Sequence, residues 1–383
     1  MLRKHLSEEL HPDPSNGDMI WKLVARKDPR CRFVYEENLF RCHRSLLNIH
    51  RFLFSGSTTK PLKITPRLLK RLLTYHQVMP EIVEFLTVFA RRPENRELGF
   101  SGFFDQTTLS QKKTSCQSPG ASQQVVANTR QHLVSRSGVP RGPAVVALGR
   151  SGKQYQLCYN LSRVIPREED WSVQQNQFHH QFDLLEGTSL WINAIGSLKD
   201  YRREVTELTG GQNGKPEDLS FQSRESAYES SLTVHLMNCH WASNDWRAYI
   251  RFLEDNVEEK VSIRFINTNA TADMFKTRDI LTSEWHSESS TPETLKDVQY
   301  FEEKAITAAM ILEANIQCMT LLKVFYENIL ENNDFDLKDQ CAEATFAFAQ
   351  QMSNAIHTFT GLLGRAKFLV DITENKKNLV SSK

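Results

Sequence analysis

From Glu293 to about Asn332 no glycine or proline interrupts the chain, and apolar residues return at helical spacing. Val298, Ala305, Leu312, Met319 and Tyr326 stand seven apart, with Ala309, Ile316 and Leu330 filling alternate rows. That period predicts one long helix with an apolar stripe, because residues three and four apart share a helix face. At about 1.5 Å rise per residue, roughly forty residues make a rod about 60 Å long. A rod of that length outruns a small globule and calls for other helices beside it. A second helix is predicted from about Phe335 to Arg365, with Phe346, Ala349, Met352, Ile356, Phe359 and Leu363 as its stripe. The pair forms a stalk-like region over residues 291–383.

Upstream the period changes. Between Leu148 and Ile195, Tyr155, Leu157 and Tyr159 alternate with polar residues, and Phe178, Phe182, Leu190 and Ile192 mark later runs. Alternation with aromatic and β-branched residues is the strand signal. It predicts a strand over Gln154–Leu161 and a hairpin across Gln177–Ile195, turning at Glu186-Gly187-Thr188. RFLF and PLKIT (Pro61–Thr65), split by SGSTTK, predict another hairpin. Thr65-Pro66 opens a helix whose stripe is Leu68, Leu69, Leu72 and Leu73. Pro80 interrupts it, and Ile82, Phe85, Leu86 and Phe89 form a second stripe. Helix resumes near Ser223 with Ala227, Ser231, Val234 and Met237 on one face, then breaks at Trp241 to Asn244. In the next helix Trp246, Tyr249, Ile250, Leu253, Val257 and Val261 lie opposite Glu254, Asp255, Glu258 and Glu259.

The fold class is therefore α/β (α+β): a mixed central sheet flanked by helices, followed by long C-terminal stalk-like helices. The division reads as a mobile N-terminus (1–32), the first part of the α/β domain (33–104), and a disordered loop (105–147). The central sheet and its helices follow (148–290), then the helical region. Residues 105–147 earn their assignment by composition: Gln, Ser, Thr, Lys and Gly with few aromatics bury too little surface to offset ordering entropy.

Net charge is +1, so there is no electrostatic footprint for nucleic acid. Seven cysteines at scattered spacings include no CxxC pair, which points to reduced thiols in a cytoplasmic compartment. The N-terminus lacks the apolar core of a secretory signal. The longest apolar run, near Ala305–Leu312, is cut by Glu313 and falls far below the roughly 18–20 residues of a membrane span.

Few residues carry chemistry. Adjacent His179 and His180 point to opposite faces of a strand, and His235 with Cys239 supplies two ligands where zinc wants four. Gly149-Arg150-Ser151-Gly152-Lys153 lacks phosphate-loop spacing and precedes a strand, so it reads as a turn. Trp171, Trp191, Trp241 and Trp246 read as core. With no nucleophile–base set, an enzyme is not expected.

One stretch, LGRSGKQYQLCYNL followed by WSVQQNQFHHQFDLLEGTSLWI, resembles the soluble domain of the fungal CorA-like transporter family. LLTYHQVMPEIVEFLTVF with FSGF (Leu72–Phe89, Phe100–Phe103) and HLMNCHWASNDWRAYIRFLED (His235–Asp255) resemble it too. The resemblance covers roughly Phe33 to Gly364. It implies a cytosolic regulatory or assembly module related to magnesium transport, with magnesium held on the acidic face Glu254, Asp255, Glu258 and Glu259. It further implies a homo-oligomer built through the C-terminal helices, or docking on a membrane-embedded family member. In that family a Gly-Met-Asn motif marks the pore mouth; here the sequence given ends at NLVSSK and holds no Gly-Met-Asn. The expectation is a cytoplasmic chain, on the cytosolic face of a membrane if its gene product continues into transmembrane helices. The alternative is a stand-alone cytosolic interaction protein that oligomerises through the same helices; its seam would need the Val298–Leu330 stripe exposed in the monomer.

Overall fold

The computed structural model describes residues 64–87, 102–108, 144–145, 148–168, 170–195, 201, 219, 221–266 and 292–381, with four short strands before them. Strands β1 (Leu10–Pro12) and β2 (Trp21–Leu23) pair antiparallel, within the terminus that composition reads as mobile. The main sheet has six strands: β3 (Cys31–Val34), β4 (Phe52–Phe54), β5 (Phe103–Thr108), β6 (Gln154–Pro166), β7 (Trp171–Asp183) and β8 (Ser189–Ile195). Its order is β3-β8-β7-β6-β5, with β4 also on β8. Neighbours from β5 to β8 are antiparallel, whereas β3 and β4 run parallel to β8, so the sheet is mixed as expected.

Phe52–Phe54, from RFLF, pairs with Asn193–Ile195, a non-local contact that no turn signal encodes; residues 61–63, in the other arm of the expected hairpin, lie outside the described residues. Two local readings need correcting. Asp105–Thr108, which composition assigns to the polar loop, completes β5 by pairing with Gln154–Leu157; residues 109–143 lie outside the described residues. Strand β6 continues past Leu161 to Pro166, and β7 starts at Trp171 rather than Gln177. Their register is unbroken from Gln154↔Asp183 to Pro166↔Trp171.

That register puts Tyr155, Leu157, Tyr159 and Leu161 on one face with Phe178, His180 and Phe182, all buried. The helices α3 (Arg224–Ser243), α4 (Trp246–Ile266), α5 (Pro292–Glu331) and α6 (Lys338–Ser381) build the main core on this side. The opposite face carries Gln156, Cys158, Gln177, His179, Leu190 and Ile192. Helices α1 (Pro66–His76) and α2 (Ile82–Thr87) line it with Leu72, Met79, Ile82, Phe85 and Leu86. Thr65 caps α1 through Leu68 N (3.3 Å). The α1–α2 corner is tied to the sheet by Met79 N donating to Gln156 Oε1 (2.8 Å).

Helices α5 and α6 lie antiparallel, paired end to end by Lys377–Glu302 (2.8 Å) and Lys367–Glu313 (3.5 Å). Ala305, Leu312, Met319 and Tyr326 are fully buried within the chain itself, so the seven-residue stripe is spent on the domain core. It is not exposed in the monomer, as a seam between copies would require. In the first turns of α6 the inward aromatic is Phe348, and Phe346 points outward at 67% exposure. Their two-residue offset is more than half a helical turn, too fine for a sequence stripe to resolve.

Over Lys296–Glu331, α5 is long and apolar enough to cross a membrane, contrary to the count of uninterrupted apolar residues. Averaged over a window, Glu313 weighs little. Half of that window is buried in this fold, with Asn315 turned inward, which is how a core helix is used. Asn315 gives the reason: its Oδ1 accepts from Ser162 N (3.0 Å) and its Nδ2 donates to Ser162 O (2.7 Å). Beyond Tyr159 strand β5 no longer covers β6. The Asn315 amide takes the place of the missing strand for one residue.

Candidate functional site

The acidic residues singled out by sequence lie on α4, with Leu253 and Val257 facing the core between them. Glu254 is half-buried and takes a bidentate pair from Arg365 on α6, Nε to Oε1 at 2.8 Å and Nη2 to Oε2 at 2.5 Å. The carboxylate raises the Arg365 pKa still further. Asp255 is exposed and sits 3.9 Å from Arg251, one turn earlier. Glu258, one turn beyond Glu254, is exposed. Glu259 continues the helix, and its side chain lies outside the described residues. Glu254 and Glu258 therefore share a solvent-facing stripe, with Asp255 beside it. Among the described residues no three His, Cys, Asp or Glu side chains are grouped closely enough to hold a metal ion.

Glu254–Arg365 is one of three straps on α6. With Lys367–Glu313 and Lys377–Glu302, the second half of α6 is joined by cations to carboxylates on α4 and α5. The two more exposed pairs, Glu254–Arg365 and Lys367–Glu313, contribute about 0–1 kcal/mol each, so they orient α6 more than they hold it. Sequence separation hides the first strap, whose residues are 111 positions apart.

The second polar constellation is inside. Tyr201 Oη donates to Asn238 Oδ1 (2.5 Å), and Asn238 Nδ2 donates to Tyr159 Oη (3.1 Å). The Tyr159 hydroxyl, already accepting from Asn238, has its own proton left to place, and donating it to His235 Nδ1 (2.7 Å) satisfies both groups. His235 must then carry its proton on Nε2, which faces His180 Nδ1 at 3.1 Å. His180 in turn donates from Nε2 to Ser189 Oγ (3.2 Å). Ser189 passes the sense to Ser231 Oγ (3.4 Å), whose own proton goes to the Ala227 carbonyl (2.8 Å). Both imidazoles are held neutral in a fixed tautomer, and the Tyr326 hydroxyl also lies 3.4 Å from His180 Nδ1. Burial depresses the His235 pKa to about 3 and drives that of His180 well below its usual value. Trp191 stacks on His180 with ring centres 4.0 Å apart. These side chains touch no solvent, so the relay fastens sheet to α3.

The other sequence candidates resolve as structure. His179 faces the α1–α2 side, away from His180, and burial lowers its pKa to about 3. Cys239 is buried with its thiol pKa pushed up to about 12 by burial, and His235, paired with it by sequence, has its two ring nitrogens on Tyr159 and His180 instead. The GRSG stretch is a turn: Gly149 and Gly152 have φ of 66° and 75°, and Ser151 N and Oγ both donate to Asp183 at 2.7 Å. Arg150 Nη1 donates to the Tyr75 carbonyl (2.6 Å), binding α1 to that turn. Trp191, Trp241 and Trp246 are buried and Trp171 packs against Tyr249 at 5.3 Å, consistent with a core role.

Comparison with known proteins gives a family. Among solved structures, the cytoplasmic domain of ZntB from Vibrio parahaemolyticus RIMD 2210633 aligns with a TM-score of 0.30 at 8% identity, over 58% of this chain and 70% of that one. No curated protein matches the sequence. The sequence profile described as CorA-like transporters matches residues 1–124 and 122–264, more than half of the 383 residues. The chain belongs to the CorA-like transporter family.

Proposed function

We propose that this chain is a cytosolic regulatory or assembly module of divalent-metal transport, responding to magnesium through the acidic face of α4. Membership of the CorA-like family supports the transport connection. The observation that carries the reading is the Glu254–Arg365 strap, because it couples a candidate ion ligand to the position of α6. Magnesium prefers hard carboxylate oxygen and keeps several waters, so one or two carboxylates suffice for it, and Glu254 and Glu258, one turn apart with Asp255 beside them, are the candidates on the outer surface. An ion that recruits Glu254 competes with Arg365 and loosens α6 from α4. The ion's role here is as a signal; Glu259 completes the acidic run in sequence.

Full-length protein in the absence and presence of millimolar magnesium tests this by thermal stability and light-scattering mass. A change in either that Glu254→Gln and Glu258→Gln together abolish supports the reading. If magnesium alters neither, the reading fails.

A second reading is a stand-alone interaction protein that oligomerises through its C-terminal helices, or docks on a membrane-embedded relative. Its support is the outer face of those helices, where Met310, Val324, Phe346 and Phe368 are 53%, 41%, 67% and 64% exposed. A strictly monomeric mass over a wide concentration range removes self-association.

A further inference from the structure

Strand β5 is an edge of the main sheet, at the opposite end from β3. It pairs with β6 from Phe103↔Tyr159 to Thr108↔Gln154 and, among the described residues, with no other strand. In an antiparallel pair the backbone groups turn alternately toward the partner and away from it. Every second residue of β5 therefore points its N–H and carbonyl outward, and among the described residues none of them bonds beyond β6. Both cores reach this edge and stop with an aromatic side chain half covered. Phe103, on the helix-covered face, packs on Tyr159 and Phe325 with ring centres 6.5 Å away, yet is only half-buried. Phe104, on the other face, meets Phe85 at 5.5 Å and is half-buried as well. Asp105 follows on the Phe103 face, across from Leu157. Burial raises its carboxyl pKa, the hydrogen bond to its own backbone opposes that rise, and among the described residues no cation stands beside it.

A charge set into an edge strand keeps most strands away, and admits one that brings the opposite charge to the matching position. We propose that the open edge of β5 takes up an extended segment of a partner protein as an added strand, with a lysine or arginine opposite Asp105. Backbone hydrogen bonds supply the attachment, the cation sets the register, and β-branched neighbours cover Phe103 and Phe104. A second copy of this chain is a poor occupant. Antiparallel pairing of β5 with itself about residue 105 or 106 puts the two Asp105 carboxylates directly across from, or diagonal to, each other. The proposal is independent of the ion-binding reading, since it uses no residue of α4.

The test uses the full chain and a labelled peptide of alternating threonine and valine with one central arginine, capped at both ends. Fluorescence anisotropy should give saturable binding, about fivefold or more tighter than for the same peptide with glutamate in place of arginine. Asp105→Asn should erase that preference, a readout that a merely structural carboxylate would not move. N-methylation of alternate peptide amides keeps the arginine and removes the ladder, and should abolish binding. Amide hydrogen exchange should slow over Phe103–Thr108 when the arginine peptide is bound. The inference is overturned if the two peptides bind alike, if neither binds, or if protection appears elsewhere and not on β5. Self-association of the chain that the arginine peptide displaces would give the edge to a second copy, and overturns it too.

Discussion

His235 Nε2 donates to His180 Nδ1 across 3.1 Å inside a core where both imidazoles are fully buried. Because Asn238 fixes the sense of the Tyr159 hydroxyl, a second proton on His235 would set its Nδ1–H against the Tyr159 O–H, and one on His180 would set two N–H groups against each other.

Acid should therefore unfold this protein from the core outward. Folded pKa values of about 3 for His179 and His235, and a strongly depressed one for His180, lie below the unfolded value near 6.5. A depressed base contributes stability fully above the unfolded pKa, and loses it as pH falls, because only the unfolded chain binds the proton. Each histidine gives a slope of about 1.4 kcal/mol per pH unit below about pH 6.5. Urea midpoints measured from pH 7 to pH 4 should fall steeply, and His179→Leu should flatten the fall. A flat profile contradicts the assignment.

Tyr159→Phe deletes one hydroxyl and strands two partners, Asn238 Nδ2 and His235 Nδ1. A loss of about 1–3 kcal/mol in denaturant unfolding is expected, with the slope of the transition unchanged.

Asn315→Leu preserves volume on α5 but leaves the Ser162 N–H and carbonyl unmatched in a buried setting. About 2–4 kcal/mol of stability should go, and amide exchange at Ser162 should quicken ahead of its β6 neighbours.

Gly187, in the β7–β8 turn, has φ +65°, and a Cβ there would sit 2.8 Å from the Arg224 Cα. Gly187→Ala must shift the start of α3 as well as strain the turn. A drop in melting temperature of at least several degrees is expected, against a small effect for Gly361→Ala, whose added methyl meets nothing.

What sequence reveals here follows contrast. The α5 stripe, the Thr65 cap and the start of α3 at Ser223 are legible because each signal is local and unopposed. The long β6–β7 ribbon is half-hidden: Ser162, Arg163 and Gln174–Gln177 are polar yet buried, so alternation loses its amplitude. The parallel pairing of β3 and β4 with β8 leaves no local trace. For the site, the acidic face of α4 is legible as periodicity, but Arg365 arrives from a distant helix. The relay escapes for a similar reason, since its members come from β6, β7, β8 and α3 and from Tyr201.

The competition between magnesium and Arg365 for Glu254 tests the functional account most directly. Calorimetric titration with magnesium should be run on wild type, Arg365→Met and Glu254→Gln. Removing the guanidinium should tighten binding several-fold, and removing the carboxylate charge should weaken it by at least as much. Three indistinguishable isotherms, or no heat in any of them, would contradict the proposal that this helix face senses the ion.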